Sequence, residues 1–455
     1  MNKLTAFFAL ILAPTLASAE TLSQAIDAAF QKNAALGAAR AKQRVNDEQL
    51  PITRANGMPN LSASSSFTEN HERASDVTTT PLRSANGSLI FNIPLYSGGT
   101  VKHAVRSARW NIESGKASLR SADITLLLNV ATSYVQVLAA RNTARIDGQY
   151  VSELEQSLVA TKRRFTAGEL TKTDTAQTET NLASARVTYL AALASLRSAE
   201  EQFTYYVGHK PVDLAAPPLP SDLPAEESEA LEIGLKRNPD LDASHKAVLS
   251  ARENTLSALG NRLPQVTAFA SENYANSFGT AQIGVQMTLP LYQGGRASAQ
   301  IRSARDQEWA AQANADDTEA NVTAQIRSSF AQWQALGQEL DSAKDQARAA
   351  EDAYIGVKKL NVLGSRTIQD VLYADQAVLT AKSQLIQIDA NRFIGAITLL
   401  AKMGVLSPEI LGAKQPDYDP EIDEQRARHS VLDWNDAETS RSSHKPSLHV
   451  VAGPP

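Results

Sequence analysis

The sequence has no cysteine among its 455 residues. Disulfide bonds, thiolate metal sites and cysteine nucleophiles are therefore excluded. The formal net charge is only −5, with 20% charged residues, so electrostatics give no case for a nucleic-acid partner. Aromatic residues make up 6% of the chain, and together with abundant alanine this favours closely packed helices over a thick globular core.

Patterns that would indicate catalysis are also missing. The histidines are scattered, and His103, His209 and His245 have no partners at the spacing of metal ligands or of a catalytic group. The segment Gly98-Gly99-Thr100 lacks the lysine and hydroxyl residue that end a phosphate-binding loop. We therefore expect a protein that is not an enzyme and that needs no cofactor or metal.

Long apolar runs are scarce, and after the first residues no uninterrupted stretch reaches about 18 residues, as a transmembrane helix requires. The N-terminus carries Lys3, the apolar stretch 4–16 and the small residues Ala17-Ser18-Ala19. This pattern predicts a signal peptide over 1–19, with Glu20 as the mature N-terminus. Such a chain is soluble in the periplasm, secreted, or inserted in a membrane as a β-barrel.

The chain consists of a duplicated unit. Pro94-Leu95-Tyr96-Ser97-Gly98-Gly99 returns as Pro290-Leu291-Tyr292-Gln293-Gly294-Gly295. Four further pairs recur at the same offset: Gly168 and Gly364, Thr171 and Thr367, Asp174 and Asp370, Gly208 and Gly404. Several landmarks in one register indicate an internal repeat. We expect a first repeat over 20–210, a proline-rich linker over 211–224 and a second repeat over 225–411.

Proline is absent from 95–210 and from 291–407. Because proline costs about 3 kcal/mol inside a helix, these spans permit very long helices. The expected helices are a long pair, 100–165 and 296–361, a return pair, 173–207 and 368–403, and an amphipathic pair, 22–49 and 227–259. Gly168 in the turn 166–172 and Gly364 in the turn 362–367 separate long from return helices, and each following threonine can cap the next helix.

Between the amphipathic and long helices of each half, the apolar period changes to two. Ile283, Val285, Met287, Leu289 and Leu291 alternate with small or polar residues, and 88–96 shows a similar alternation. Strands of about ten residues with one apolar face are typical of transmembrane β-strands. We expect β-hairpins over about 59–97 and 264–293.

Each hairpin ends in a glycine pair, Gly98-Gly99 or Gly294-Gly295, which suits a sharp passage from strand to helix. Four strands cannot close a barrel, for which about eight is the practical minimum, and lipid does not tolerate unpaired strand edges. A membrane barrel would therefore be shared between chains, with eight strands for a dimer or twelve for a trimer. The alternative is a soluble periplasmic coiled-coil adaptor or scaffold protein, which has no need of lipid-facing strands.

The duplicated helix–hairpin–helix order, the two Pro-Leu-Tyr-x-Gly-Gly strand ends and the segment 364–372 resemble the TolC family of outer-membrane channel proteins. The resemblance covers about 22–411. It implies a mainly α fold with a small β part: a homotrimer with a shared 12-stranded β-barrel, four strands per chain, on a periplasmic α-helical barrel. It also implies contact with outer-membrane lipid, a periplasmic adaptor and an inner-membrane pump of the RND or ABC type, for drug efflux or type I protein secretion.

The resemblance further implies a functional site in the turns at the periplasmic tip. Five residues of these turns would contact the adaptor: Gly168, Glu169, Leu170, Gly364 and Ser365. The adaptor match is less specific than the turn itself, because the family often has valine before the glycine and a small or apolar residue after it.

Asp370 matches the constriction aspartate of the family, and Asp174 and Arg366 match residues that hold the closed tip together. Tyr373 stands where a second constriction aspartate would fall, and Asp375 lies on a different helical face. The alternative for Asp174 and Asp370 is a purely structural role, since both lie in the first turn of a helix and interact with its dipole. The polar residues 412–455 are expected to form a disordered periplasmic tail.

Overall fold

The computed structural model describes residues 19–69, 83–275, 278–414 and 418–429. Most of the expected signal peptide and the tail beyond 429 lie outside these described residues. The described chain divides into two compact units. The first unit lies within Met1–Arg40, Ala117–His245 and Ala313–Tyr418, and the second unit lies within Ala41–Lys116, Lys246–Gln312 and Asp419–Pro455.

The fold is mainly helical with one small antiparallel sheet, as the sequence predicts. The helices are α1 Leu22–Lys32, α2 Ala34–Ala55, α3 Thr100–Thr166, α4 Lys172–Val207, α5 Glu227–Arg237, α6 Pro239–Gly260, α7 Arg296–Val362, α8 Ile368–Lys402 and α9 Pro420–His429. The strands are β1 Asn60–Glu69, β2 Arg83–Tyr96, β3 Gln265–Ala275 and β4 Phe278–Thr288. A short 3-10 helix spans Glu409–Leu411.

The two longest helices, α3 and α7, each contain 67 residues. At a rise of 1.5 Å per residue, each is about 100 Å long. Helix α3 includes a window that is long and apolar enough to cross a membrane, but half of this window is buried inside the structure. The buried residues Leu127, Val130 and Tyr134 belong to the main hydrophobic core, so this window packs as a core helix does.

The amphipathic segments differ from the sequence prediction, because each expected single helix is two helices. Asn33 and Asn238 separate them with extended backbone, at φ −69° and ψ 118° and at φ −63° and ψ 122°. Pro239 follows Asn238, and proline disfavours helical geometry in the residue before it. The apolar period continues across both breaks, so periodicity alone does not reveal them.

Asn33 in the first repeat and Asn238 in the second repeat form equivalent hydrogen bonds. The Oδ1 atom of Asn33 accepts a hydrogen bond from the Leu36 N–H at 3.1 Å, and that of Asn238 accepts from Leu241 at 3.1 Å. Their Nδ2 atoms donate to the last turns of the return helices, to the carbonyl oxygens of Tyr206 at 3.2 Å and Lys402 at 2.9 Å. Each asparagine therefore caps one helix and attaches it to the end of another.

In the second unit, the four strands form one antiparallel sheet in the order β1-β2-β3-β4. Strand β2 of the first repeat pairs with β3 of the second repeat over about ten residues, so the sheet joins the two repeats. Within the described residues, β1 and β4 each have only one neighbouring strand. The sheet is therefore open at both edges.

One face of the sheet is apolar and exposed. The register places Leu61 opposite Phe91 and Ala268 opposite Val285. The side chain of Ile283, on this same face, is 89% exposed. Because side chains alternate between faces along a strand, the predicted apolar alternation places a hydrophobic surface on one side of the sheet. Glu272, which lies opposite Leu89 and Ala281, interrupts this surface towards the β3–β4 turn.

The opposite face carries uncharged polar side chains. Ser64 lies opposite Ser88, with their hydroxyl oxygens 2.8 Å apart, and Thr267 lies opposite Gln286. Phe269 is an apolar exception, and its ring covers Gly284 on the neighbouring strand. A sheet with one apolar and one polar face suits a boundary between lipid and water.

The C-terminal tail is the second difference from the sequence prediction. Residues 420–429 form helix α9 instead of disordered chain. Glu424 is buried, and its Oε2 atom lies 2.5 Å from the Nζ atom of Lys116 on α3. Arg428 also pairs with Glu424, and Ala427 is buried beside it. The composition is polar enough to predict disorder, but these charges are paired within the fold.

The glycine pairs after β2 and before α7 have the expected backbone. Gly98, Gly99, Gly294 and Gly295 have φ angles of 64°, 82°, 57° and 84°. This left-handed region is disfavoured for residues with a Cβ atom. The first pair is also tightly packed, because a Cβ atom on Gly98 would lie 2.4 Å from the carbonyl oxygen of Gly260, whereas Gly294 has open space around it.

We therefore expect Gly98→Ala to destabilise the protein more than Gly294→Ala. Both substitutions incur backbone strain of about 1–2 kcal/mol, and only Gly98→Ala adds a steric clash of about 1–3 kcal/mol. Thermal unfolding of the two purified variants, followed by circular dichroism, measures the difference. Equal losses of stability would show that the contact with Gly260 does not constrain this turn.

Candidate functional site

The two hairpins of long and return helices end in the same turn. The N–H groups of Glu169 and Ser365 donate to carbonyl oxygens five residues earlier, both at 2.9 Å. Gly168 and Gly364 adopt left-handed backbone, at φ 81° and φ 78°. This is the Schellman motif, in which a left-handed residue closes the last helical turn. We name the turns 166–172 and 362–367 the tip turns.

The surfaces of the two tip turns differ in chemistry. In the first, Glu169 forms an ion pair with Arg164 at 3.1 Å, and Leu170 is half-buried. In the second, Val362 is 83% exposed and Leu363 is 75% exposed. The backbone of the repeat is preserved, whereas one turn presents charge and the other presents apolar surface.

A threonine and an aspartate begin each return helix and cap it. The carboxylate of Asp174 accepts hydrogen bonds from the N–H and hydroxyl of Thr171, at 2.8 and 2.7 Å. Asp370 accepts the same two bonds from Thr367, at 2.9 and 3.0 Å. Each threonine hydroxyl accepts in return from the aspartate N–H, which completes a capping box. The predicted threonine caps are therefore confirmed.

These caps keep the carboxylates ionised. Hydrogen bonds from Thr171 hold the pKa of Asp174 below its usual value, and hydrogen bonds from Thr367 do the same for Asp370. The guanidinium of Arg366 lowers the pKa of Asp370 further. Both aspartates thus have the capping role of the structural alternative, and their half-buried carboxylates carry a negative charge near the tip turns.

Within the described part of the chain, Arg366 and Asp174 do not form an ion pair. Arg366 is exposed, and its carbonyl oxygen accepts a hydrogen bond from Asn361 Nδ2 at 2.7 Å. The predicted contact between Arg366 and Asp174 is therefore not made within one chain. It stays a prediction for the assembled protein.

Tyr373 and Asp375 point to different environments, as their helical positions predict. Tyr373 is 65% exposed. Asp375 is half-buried, and burial, with the nearby carboxylate of Glu153, raises its pKa to about 6 against the charges of Lys358 and Lys382. Asp375 cannot replace an exposed constriction aspartate, but it is a titratable group where α3, α7 and α8 meet.

A small hydrophobic cluster joins the two hairpins behind the tip turns. It comprises Tyr150, Leu154, Leu182, Ala185 and Leu372, from α3, α4 and α8. The hydroxyl of Tyr150 also donates to Gln376 Oε1 on α8 at 3.2 Å. Sequence reasoning missed this cluster, because its members lie on three helices and look like ordinary apolar positions.

An exposed apolar sheet face, two sheet edges without a partner among the described residues, and long helices ending in capped turns are together the features expected of a channel protein of the outer membrane. A family model described as "outer membrane efflux protein" matches residues 25–209 and 230–405. The chain therefore belongs to the outer membrane efflux protein family, as its resemblance to TolC proteins predicts. This membership also argues against the soluble adaptor alternative.

Individual relatives match over most of the chain. The outer membrane efflux protein BepC of Brucella suis is 28% identical and aligns with 89% of this chain and 90% of its own length. The outer membrane protein TolC of Escherichia coli is 23% identical, over 87% of this chain and 85% of its own. The crystal structure of the CmeC outer membrane channel of Campylobacter jejuni has a TM-score of 0.76 at 16% identity, covering 95% of this chain and 98% of CmeC.

Asp370 and Asp375, both on α8, should contribute to the stability of the protein with opposite dependence on pH. Because the folded pKa of Asp375 is raised to about 6, its contribution to stability falls as pH rises from about 4 through 6. We expect Asp375→Asn to match the parent protein near pH 4 and to unfold about 2 °C higher at pH 7.5. Thermal unfolding between pH 4 and pH 8 tests this.

Asp370→Asn is the matched control in this experiment. The folded pKa of Asp370 is lowered, so its contribution to stability is present above the unfolded pKa and disappears as pH falls. This variant should therefore be less stable than the parent at neutral pH. If the unfolding temperatures of both variants, relative to the parent, changed with pH in the same direction, the environment of Asp375 would not differ from that of a helix cap.

Proposed function

We propose that this protein is the outer-membrane exit duct of a tripartite export system and acts as a homotrimer. The observation that carries this proposal is the four-stranded sheet, with an exposed apolar face and two open edges. Unpaired backbone groups in lipid cost several kcal/mol each. The edges β1 and β4 must therefore pair with other chains, and three chains supply a barrel of twelve strands.

The polar face of the sheet fits the lumen of such a barrel. Serine, asparagine, threonine and glutamine side chains line it, with Ser64, Ser88, Thr267 and Gln286 as paired examples. These side chains are polar but uncharged, so they would line a water-filled pore without adding a fixed charge to it. Ion selectivity would then arise elsewhere along the conduit, and the protein's role is conduction instead of catalysis.

The tip turns are the proposed gate. Asp370 keeps its negative charge because Thr367 donates two hydrogen bonds to it. A threefold axis would bring three such carboxylates together in a ring that repels itself and attracts cations. Arg366 has no ion-pair partner among the described residues of its own chain, so contact with Asp174 of a neighbouring chain would hold the ring closed.

The same turns are the proposed contact with a periplasmic adaptor. Val362 and Leu363 present exposed apolar surface beside Gly364 and Ser365, while Glu169 presents charge in the first turn. Because Glu169 is paired with Arg164, the apolar surface of the second turn is the feature that an adaptor with apolar groups would match. The adaptor would connect the duct to an inner-membrane pump of the RND or ABC type, which delivers drugs or type I secreted proteins.

A charge introduced next to the apolar residues of β4 should be tolerated on the polar face of the sheet only. We expect Val285→Lys, on the apolar face, to impair membrane insertion by about 2–4 kcal/mol. Gln286→Lys, on the adjacent residue, points to the polar face and should insert normally. The measurement is the amount of heat-stable trimer recovered from outer membranes. Equal recovery of the two variants would mean that this sheet does not face lipid.

Single-channel recording in planar lipid bilayers tests the gate. We expect discrete, cation-preferring steps, and Asp370→Asn should reduce the cation preference because it removes the charge of the ring. Asp370→Glu retains the charge and should retain the preference. Tyr373→Asp adds a second ring of carboxylates and should increase the preference. An unchanged cation preference in Asp370→Asn would exclude Asp370 from the narrowest part of the conduit.

A further inference from the structure

Glu20 follows the expected signal-peptide cleavage site, and both its backbone N–H and its carbonyl oxygen form hydrogen bonds. Its N–H donates to the carbonyl oxygen of Asp213 at 2.6 Å, and its carbonyl oxygen accepts from the Ala215 N–H at 3.0 Å. The two bonds form an isolated parallel bridge with Leu214. The first mature residue is thus joined to the linker between the repeats.

The hydroxyl of a buried tyrosine contacts both strands of this bridge. The hydroxyl oxygen of Tyr134 lies 2.6 Å from the carbonyl oxygen of Glu20 and 2.7 Å from that of Ala215. The side chain of Tyr134 is fully buried, and its ring packs against Phe203. Helix α3 therefore holds the N-terminal segment and the linker together through one phenol group.

The side chain of Glu20 is also held. Its carboxylate lies 3.3 Å from His209 Nε2, and only 15% of the side chain is exposed. The ring of His209 packs edge-on against Phe203. With these contacts, the nitrogen, the carbonyl oxygen and the carboxylate of Glu20 all have partners. Such complete engagement is unusual for a residue at the end of a chain.

The charges around this bridge favour a positive group. Burial, together with the carboxylates of Glu20 and Asp213, raises the pKa of Tyr134 to about 12. These two carboxylates thus contribute negative charge around the Tyr134 hydroxyl, which lies 2.6 Å from the carbonyl oxygen of Glu20. Arg141 is a nearby cation, but it donates to the carbonyl oxygens of Pro211 and Val212 and pairs with Glu200. His209 lies beside the Glu20 carboxylate and opposes the effect of burial, which raises the pKa of Glu20.

We propose that this cluster is a binding site for the free α-ammonium group of the processed chain. Hydrolysis of the Ala19–Glu20 peptide bond adds one water molecule, leaving a carboxylate on Ala19 and an ammonium group on Glu20. The nitrogen that donates to Asp213 then carries a positive charge, so its hydrogen bond becomes charge-assisted and stronger. The carboxylates of Glu20 and Asp213 balance this charge.

The site links export to the folding of the first unit. Thr21, the next residue, is the N-cap of α1, and its side chain and that of Gln24 form a capping box. A positive charge beside a helix N-terminus is unfavourable by itself, and the two carboxylates offset this effect. Cleavage at Glu20 therefore strengthens the junction between α1, α3 and the linker in the exported chain.

Labelling of the α-amine tests the site in the detergent-purified full-length protein. The mass of the N-terminal peptide first establishes whether the chain begins at Glu20. A limiting amount of an acetylating reagent near pH 7 then modifies the α-amine in preference to lysines, whose pKa is higher. We expect the α-amine of the native protein to react at least about tenfold more slowly than that of the urea-unfolded protein.

Tyr134→Phe removes the hydroxyl and retains the ring, so it should increase native labelling. Tyr150→Phe is the matched control, because it removes a hydroxyl from another buried tyrosine of the same unit and should leave labelling unchanged. His209→Gln, which removes the partner of the Glu20 carboxylate, should also increase labelling. A mature terminus at another residue, equal labelling of native and unfolded protein, or no effect of Tyr134→Phe would each overturn the proposal.

Discussion

The requirement that every backbone hydrogen-bonding group in lipid be paired governs this structure. The four strands that the structure describes leave the outer edges of β1 and β4 without a neighbouring strand. The apolar face of the same sheet is equally unsuited to water. Association of several chains in a membrane would satisfy both requirements at once, and this is the physical basis of the proposed homotrimer.

The internal repeat explains how one chain builds two similar hairpins and then uses them differently. Asn33 and Asn238 cap equivalent helices in the two repeats. The glycine turns and the capping boxes form the same hydrogen bonds in both repeats. The side chains around the tip turns diverge, since the first turn carries the Glu169 ion pair and the second exposes Leu363. Backbone geometry is thus shared between the repeats, whereas surface chemistry is specific to each.

Much of the fold could be predicted because its signals are local. Missing prolines permit α3 and α7, a period of two marks the strands, and Gly168 followed by Thr171 marks a turn and a cap. The breaks at Asn33 and Asn238 were missed because the apolar period continues through them. Helix α9 was missed because the burial of Glu424 depends on Lys116, which is distant in sequence.

The duplication is visible in motifs that recur along the sequence. The long helices, the strands, the glycine turns and the threonine caps were also predictable, because each depends on residues a few positions apart. The folded chain alone shows that burial raises the pKa of Asp375 to about 6 and that the hydroxyl of Tyr134 contacts the carbonyl oxygen of Glu20. These properties require side chains from several helices to be brought together. Burial and charge act through space, and a pattern along one chain does not record them.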